Sequence, residues 1–510
     1  MASQALQRRA VFALLAVLRL GRLAAVRRES TYRLLLTPGL ERTRWQFGRW
    51  RAWLAFERAR KEVPAYRDFL RERGDPRPRA RRFQPDLEGI PVTDKKSYVK
   101  RYGIEARCLG GRIPRAGVVV DESSGTSGAP NNWVRGAEER REVKQALQVA
   151  FHHQLGSESV FVVNAFALGP WATGMNVSMS LVDVAILKSV GPDVAKIEAT
   201  LRTFGPRYRY VIAGYPPFLK TLADTADIDW NAFHVTALFG GEGMTEGMRD
   251  YLRRFFDGGV YGSYGASDLE INIGAESDFT IALRRLLADH RELSTRLGAL
   301  AGAGPPMIFQ YNPLDYHLES GPGGELVVTL CRTSNASPKI RYDIRDLGHP
   351  VRMPKLRRVL REARLELPPP GNDLPLLFLY GRADEAVPYF GSKVTPANVE
   401  EVLFALPELA ASVGSFALVV SEDESVTKHL ALAFELVEGR EAPEEVEGVR
   451  TRVLTELRRV NQDFREASRF IPAESAPTVE FHRAGTGPFA GHDVRLKRRY
   501  VRRESSEPSS

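Results

Sequence analysis

The segment GVVVDESSGTSGAP, residues 117–130, runs an apolar stretch into a loop of serine, threonine and glycine. Glycines let a backbone approach an anion closely, and successive N–H groups and hydroxyls can cradle phosphate oxygens. The loop is not a Walker sequence, because G-x-x-x-x-G-K-[ST] is absent and Ala129, not lysine, follows Gly128. Taken alone, such a loop is most often an ordinary turn. Other chemistry-bearing types are sparse. Cys108 and Cys331 have no neighbouring His pair, so no zinc site is expected. No G-x-S-x-G elbow occurs, which leaves a serine hydrolase without support. His152 and His153 close a predicted helix and read as a surface or helix-dipole feature, not as a base.

The elements that must position the loop alternate. Short β-branched runs are predicted as strands at Gly117–Val120, Ser159–Asn164, Tyr210–Ala213, Ala237–Phe239 and Gly324–Thr329, with helical patterns between them at Ala137–His152, Asp193–Thr203 and Glu246–Phe256. This predicts an α/β chain whose sheets are covered by helices. Upstream, Trp45, Trp50, Trp53 and Phe56 recur at helical spacing and predict a core face. LPPPGND at 367–373 reads as a linker or exposed turn, and a shorter unit follows, with strands at Ala411–Val420 and His429–Leu436 and a helix at Glu444–Asn461.

The 510 residues are 43% hydrophobic, 9% aromatic and 26% charged, which excludes a disordered chain or a disulfide-stapled miniprotein. Two cysteines suit a reducing, cytoplasmic setting. Of the net charge of +9, residues 1–60 supply the excess, with 13 arginines against three glutamates. Nucleic-acid binding rests on that charge alone, with no helix-turn-helix, RNA-recognition or oligonucleotide-binding signature, and is not expected. Ala10–Leu18 is too short to span a bilayer, and Arg19 and Arg22 stand where a signal peptide needs small residues. Residues 1–30 read instead as an amphipathic helix, packed on the protein or in peripheral contact with a membrane.

Seven segments in fixed order resemble the adenylate-forming enzymes, most closely the phenylacetate-coenzyme A ligase branch. VPAYRDFL (63–70) and IPVTDKKSYVKRYG (90–103) are similar to the opening segments of that branch. SSGTSGAP resembles the phosphate loop, FGGEGMTE (239–246) the adenine-side segment and YGASDLE (264–270) the tyrosine-glycine motif ending in an acid. PKIRYDIRDLG (338–348) resembles the ribose segment, and GRADEAVPYFGSKVTPANVEEVL (381–403) the hinge and start of a mobile domain. The resemblance, over about residues 60–500, implies a large AMP-binding domain (61–380) and a small mobile α+β domain (381–503), beside the basic helical segment (1–60) and a polar tail (504–510) expected to be disordered.

Carried over residue by residue, it implies that Ser123, Ser124, Gly125, Thr126, Ser127 and Gly128 hold the β- and γ-phosphates of ATP. Gly241 and Glu242 line the adenine and Tyr264 stacks on it. Ser267 contacts the α-phosphate, Asp268 helps hold Mg²⁺, and Asp346 and Arg382 serve the ribose. A lysine from the small domain stabilises the transition state, Lys497 or, in another register, Arg495. Asp384 is the hinge, Gly391 lies on the thiol side, and Phe166, Trp171 and Gly174 shape the acyl pocket. The activity implied is an AMP-forming ligase that activates a carboxylic acid with ATP and Mg²⁺ and passes the acyl group to a thiol, most simply coenzyme A. A carrier protein or an amine is an alternative acceptor, and a non-catalytic binding protein an alternative outcome. Three positions depart from the family: Ala129 replaces a loop lysine, Asp268 a glutamate for which Glu270 is a substitute, and Ile344-Arg345 a Thr-Gly pair.

Overall fold

In the computed structural model, residues 13, 39–76, 80–81, 84–123, 131–156, 159–300, 304–382, 385–390, 392–422, 428–471, 475–491 and 500–503 are described. Glu41–Glu62 (α1) buries Trp50, Trp53 and Phe56 against the main core, with Trp45 packed at its margin. Val119–Glu122 (β1) and Asn132–Arg135 (β2) form an antiparallel hairpin that carries the Ser/Gly loop between them.

Ala137–Leu155 (α2) follows, then Val160–Asn164 (β3), Ala172–Leu181 (α3), Ile186–Ser189 (β4), Val194–Phe204 (α4), Arg209–Gly214 (β5), Pro216–Thr225 (α5), His234–Gly240 (β6), Glu246–Leu252 (α6) and Val260–Tyr264 (β7). Helices between successive strands allow parallel pairing, and β4-β3-β5-β6-β7 pair in parallel in that order. The expected helix at 246–256 stops at Leu252, because Phe256 turns edge-on to Trp230 at 5.1 Å in the core.

The sheet continues antiparallel from β7 through Gly274–Ala275 (β8), Met307–Tyr311 (β9) and Leu376–Arg382 (β13) to Tyr342–Val351 (β12), Glu325–Leu330 (β11) and Tyr316–Ser320 (β10). Thr93–Asp94 adds a short parallel pairing to β12. The sheet is therefore mixed, parallel in one half and antiparallel in the other.

Past β13 a second core forms. The hairpin Val387–Tyr389 (β14) and Ser392–Val394 (β15), the helix Pro396–Ala405 (α7), the strands Val413–Glu422 (β16) and Lys428–Leu436 (β17) and the helix Val446–Val460 (α8) pool their apolar faces. Thr478–His482 (β18) and Val501–Arg503 (β19) complete a sheet in the order β18-β17-β16-β19. The two bodies meet at α6 and α7, where the Tyr251 and Phe404 rings lie 5.6 Å apart. Among the described residues no helix is long and apolar enough to cross a membrane.

Candidate functional site

In an open parallel sheet, ligands bind outside the C-terminal ends of the strands, where helix N-termini and loops converge. Here the loops after β3, β5, β6 and β7 open on one cavity of about 1300 Å³, closed from the far side by residues of the small domain, including Glu400 and Tyr500. Ser123, Phe166, Trp171, Gly241, Glu242, Tyr264, Ser267, Asp268, Asp346 and Arg382 all line it. Residues far apart in sequence are thus brought together.

Two tyrosines hold two carboxylates. The Tyr264 hydroxyl donates to Asp346 Oδ2 at 2.7 Å, and the Tyr342 hydroxyl donates to Asp268 Oδ2 at 2.7 Å. Burial, reinforced by the neighbouring carboxylate, pushes both phenols well above their usual range, so each remains a neutral donor. Asp346 pairs in register with Arg382 across β12 and β13, and Arg382 Nη1 lies 3.7 Å from Asp346 Oδ1. The Tyr264 ring rests near Phe309, with centroids 5.8 Å apart.

Gly241 sits at φ +81°, and a Cβ there would lie 2.7 Å from the Tyr215 ring. A side chain at this position would push Tyr215 away from Phe166, which it meets edge-on at 5.0 Å. Glu242 is spanned from the small domain by the Tyr500 hydroxyl at 2.9 Å, and next to it the Thr245 N–H donates to Glu400 Oε2 at 2.7 Å. Burial lifts Glu400 to about 7 against the opposing pull of that N–H.

The hairpin that carries the loop is anchored from below. Arg135 pairs with Asp121 at 3.3 Å, Asn176 Nδ2 donates to the same carboxylate at 3.2 Å, and Arg135 donates to the Ser267 carbonyl. The strand before the loop is thereby tied to the segment after β7. The Ser123 N–H donates to Asn131 O at 3.0 Å and closes the neck of the loop. Ser124, Gly125, Thr126, Ser127, Gly128 and Ala129 lie outside the described residues, as do Asp384, Gly391, Arg495, Lys497 and residues 14–38.

Two expectations fail. Gly174 does not line the cavity: a Cβ there would lie 2.2 Å from Ala167 O, so the glycine serves the close approach of α3 to the preceding loop. Glu270 does not stand in beside Asp268. It is buried on the other side, accepting from the Tyr316 hydroxyl at 2.8 Å and from the fully buried Arg332. His153 does lie at the surface, and it also forms part of the cavity rim.

Sequence reasoning missed two lysines. Lys95 lines the cavity with its Nζ 3.6 Å from Asp268 Oδ2. It is the first of a Lys-Lys pair opening the short helical segment Lys95–Val99, distant in sequence, and the parallel pairing of Thr93–Asp94 with β12 brings it in. Lys339 is buried over Trp133 at 4.8 Å, donating to Ser337 O at 3.1 Å. Burial, with Arg135 and Arg107 nearby, lowers it to about 7.

Solved structures share this architecture. 2-Hydroxyisobutyryl-CoA ligase in the postadenylation state, in complex with R3-HIB-AMP, is 16% identical with a TM-score of 0.67 over 92% of this chain and 91% of that one. The fold is that of the adenylate-forming ligases. The same ligase in the postadenylation state with 2-HIB-AMP gives 0.66 at 17% identity, over 92% and 90%. In the thioesterification state with 2-HIB-AMP and CoA it gives 0.51 at 17%, over 92% and 91%. No protein-family model and no curated protein sequence matches the chain, so the likeness is one of backbone.

On this adenylate-forming fold the cavity offers a chemical division. Hard oxygen donors and cations gather at Asp268, Lys95, Asp346 and Arg382, and a phenol holds each carboxylate in place. A cavity-facing carboxylate is the donor type that Mg²⁺ takes together with substrate phosphates, and Asp268 fits that part. Among the described residues no group of three or more His, Cys, Asp or Glu could hold a metal by itself.

Proposed function

We propose that this protein is an AMP-forming ligase that joins a carboxylic acid to AMP from ATP and then passes the acyl group to a thiol, most simply coenzyme A. The observation that carries this reading is the pair of tyrosine-held carboxylates, Asp346 and Asp268, facing one cavity with Arg382 and Lys95 beside them.

In this reading Asp346 accepts hydrogen bonds from the ribose hydroxyls, with Arg382 near the α-phosphate and the Tyr264 ring against the adenine next to Gly241. Glu242 lies on the adenine side and Ser267 at the α-phosphate. The loop from Ser123 to Gly128 receives the β- and γ-phosphates. Mg²⁺, held by Asp268 and the phosphates, would withdraw charge from the leaving pyrophosphate.

A carboxylate attacking the α-phosphorus brings two anions together, so fixed positive charge and donors aimed at the transition state lower the barrier. Lys95 and Arg345 line the cavity and supply part of the charge that Ala129 does not. Lys497 of the small domain supplies the rest. The acyl-adenylate then loses AMP to the thiol, with Gly391 on the thiol's side. The better superposition on a postadenylation state than on a thioesterification state supports reading this arrangement of the two bodies as the one used in the first half-reaction. That the related ligase was solved with CoA supports coenzyme A as acceptor.

The test is ATP–pyrophosphate exchange with Mg²⁺ over a panel of acids, for the intact protein, Asp346→Ala and Lys497→Ala. Exchange with one class of acid, lost in both variants, is the expected result. Exchange untouched by Asp346→Ala would remove the ribose assignment.

A further inference from the structure

The cavity is larger than a nucleotide site alone requires, and its second part has a different lining. From the strand ends it continues beneath α2, between that helix and the sheet. Leu147, Ala150 and Phe151 of α2, Val177 and Leu181 of α3 and Leu238 of β6 face it. Among the described residues of α2, α3, β5, β6 and β7, no Asp, Glu, Lys or Arg lines the cavity. Leu147, Val177 and Leu238 belong to the apolar cluster under α2, yet they are only partly buried, because the cluster does not close over the space.

An apolar hollow that opens on a cluster of convergent polar groups is the usual form of a small-molecule site. Resting on the ligase reading above, we infer that the acid is lipophilic and extended: an aliphatic or aryl-aliphatic chain with an uncharged tail, lying under α2 with its carboxylate toward Lys95 and Arg382.

Three features set the class. The apolar wall from α2, α3 and Leu238 gives a charged tail no partner, and Glu276 and Arg284, which also line the cavity, are already paired with Arg249 and Glu246, so a second carboxylate would be buried at a cost. This disfavours dicarboxylic acids. The lining on α2 runs from Ala146 to Leu155, a rise of about 13.5 Å. At about 1.25 Å per bond along an extended chain, that accommodates about ten to eleven carbons. The far rim is polar: His153 is exposed there, and the Tyr261 hydroxyl donates to Asp278 Oδ1 at 3.0 Å, so the chamber ends where the tail would meet water.

At the near end, Phe166 and Tyr215 meet edge-on beside Gly240 and Gly241, forming a narrow passage between the carboxylate position and the chamber. An unbranched chain passes such an opening more readily than an acid branched next to its carboxyl.

The test uses straight-chain acids from acetate to dodecanoate, with adipate as a charged-tail probe. Two readouts apply to the full chain: ATP–pyrophosphate exchange, and calorimetric binding of each acid without ATP. Each methylene taken into the chamber is expected to raise affinity about fourfold, with a plateau near decanoate. Ala150→Phe, which fills the chamber from α2, is expected to lower the decanoate-to-butanoate ratio at least about tenfold. Leu147→Gln keeps the volume but wets the lining, and is expected to weaken decanoate binding in a protein whose thermal transition is retained. A flat response to chain length, or preference for adipate over hexanoate, overturns the inference while leaving adenylation standing. Decanoate binding weakened by both variants without exchange for any acid keeps the chamber and overturns the ligase reading. Neither binding nor exchange overturns both.

Discussion

Arg345 holds φ at +70°, left-handed backbone that strains a residue with a full side chain. The Asp343 carboxylate steadies it, accepting the Arg345 N–H at 2.8 Å and lying 3.4 Å from the guanidinium. The side chain lines the cavity, while the backbone keeps the left-handed shape suited to the glycine that the family resemblance leads one to expect here. Arg345→Gly is expected to stabilise the fold by about 1 kcal/mol, raising the urea midpoint at constant slope, and to raise the KM for ATP by removing a cation near the phosphates. A lower midpoint would mean that the ion pair outweighs the strain. Lys95 presents the opposite balance. Its pair with Asp268 is half-exposed, which makes it worth little to stability, but a cation aimed at a developing charge matters to the transition state. Lys95→Met is expected to cut exchange at least about tenfold with an unchanged melting transition, and a melting loss with intact exchange would reassign it to structure. The resemblance picked out Asp346 and Gly241, which the structure brings to one cavity. The sequence hid Lys95, one lysine among several with no spacing signal, and the resemblance misassigned Gly174, whose need for hydrogen at Cα arises from the Ala167 carbonyl 2.2 Å from where a Cβ would stand.

The contact of α6 with α7 is where two separately cored bodies touch, and its polar centre is Glu400 on the Thr245 N–H. Glu400 is raised to about 7, mainly by burial, with Thr245, Arg284 and Glu242 as the facing groups. The docked arrangement therefore binds this proton more tightly than the undocked one. Its contribution to docking is full below the ordinary glutamate value and is lost as pH rises through about 7. Small-angle scattering should show the radius of gyration of the intact protein increasing across neutral pH, and Glu400→Gln should flatten that change in the compact direction. An intact protein that stays equally compact at both ends would refute the link. At this scale the parallel half of the sheet was legible, because β3, β5 and β6 are apolar runs separated by helical patterns. Of the antiparallel half only β11 was legible, as the apolar run Gly324–Thr329. β12 carries alternating buried and exposed residues within the ribose segment, so its ten residues read as a motif and not as a strand, and β8 is only two residues long.

The ligase activity proposed above consists of two reactions in one cavity, which calls for two arrangements of the molecule. The small domain is suited to move as a body. Val399, Leu418, Leu432 and Val453 belong to its own buried core, and among the described residues the contacts that tie it to the large domain are separable ones, such as Glu400 to Thr245, Tyr500 to Glu242, Arg291 to Gln462 and Phe404 on Tyr251. None of these needs either core to open when it breaks. A rotation of this kind is taken up by a few backbone torsions, and Asp384, between β13 and β14, stands where the chain passes from one body to the other. Proline fixes φ near −65° and removes the N–H, so Asp384→Pro is expected to lock whichever arrangement that torsion permits. With the docked arrangement as the adenylating one, the variant should retain ATP–pyrophosphate exchange and lose thioester formation from preformed acyl-adenylate and coenzyme A. The two half-reactions, measured separately on one preparation, decide it: unequal loss places the turn at residue 384, and equal loss of both moves the hinge elsewhere.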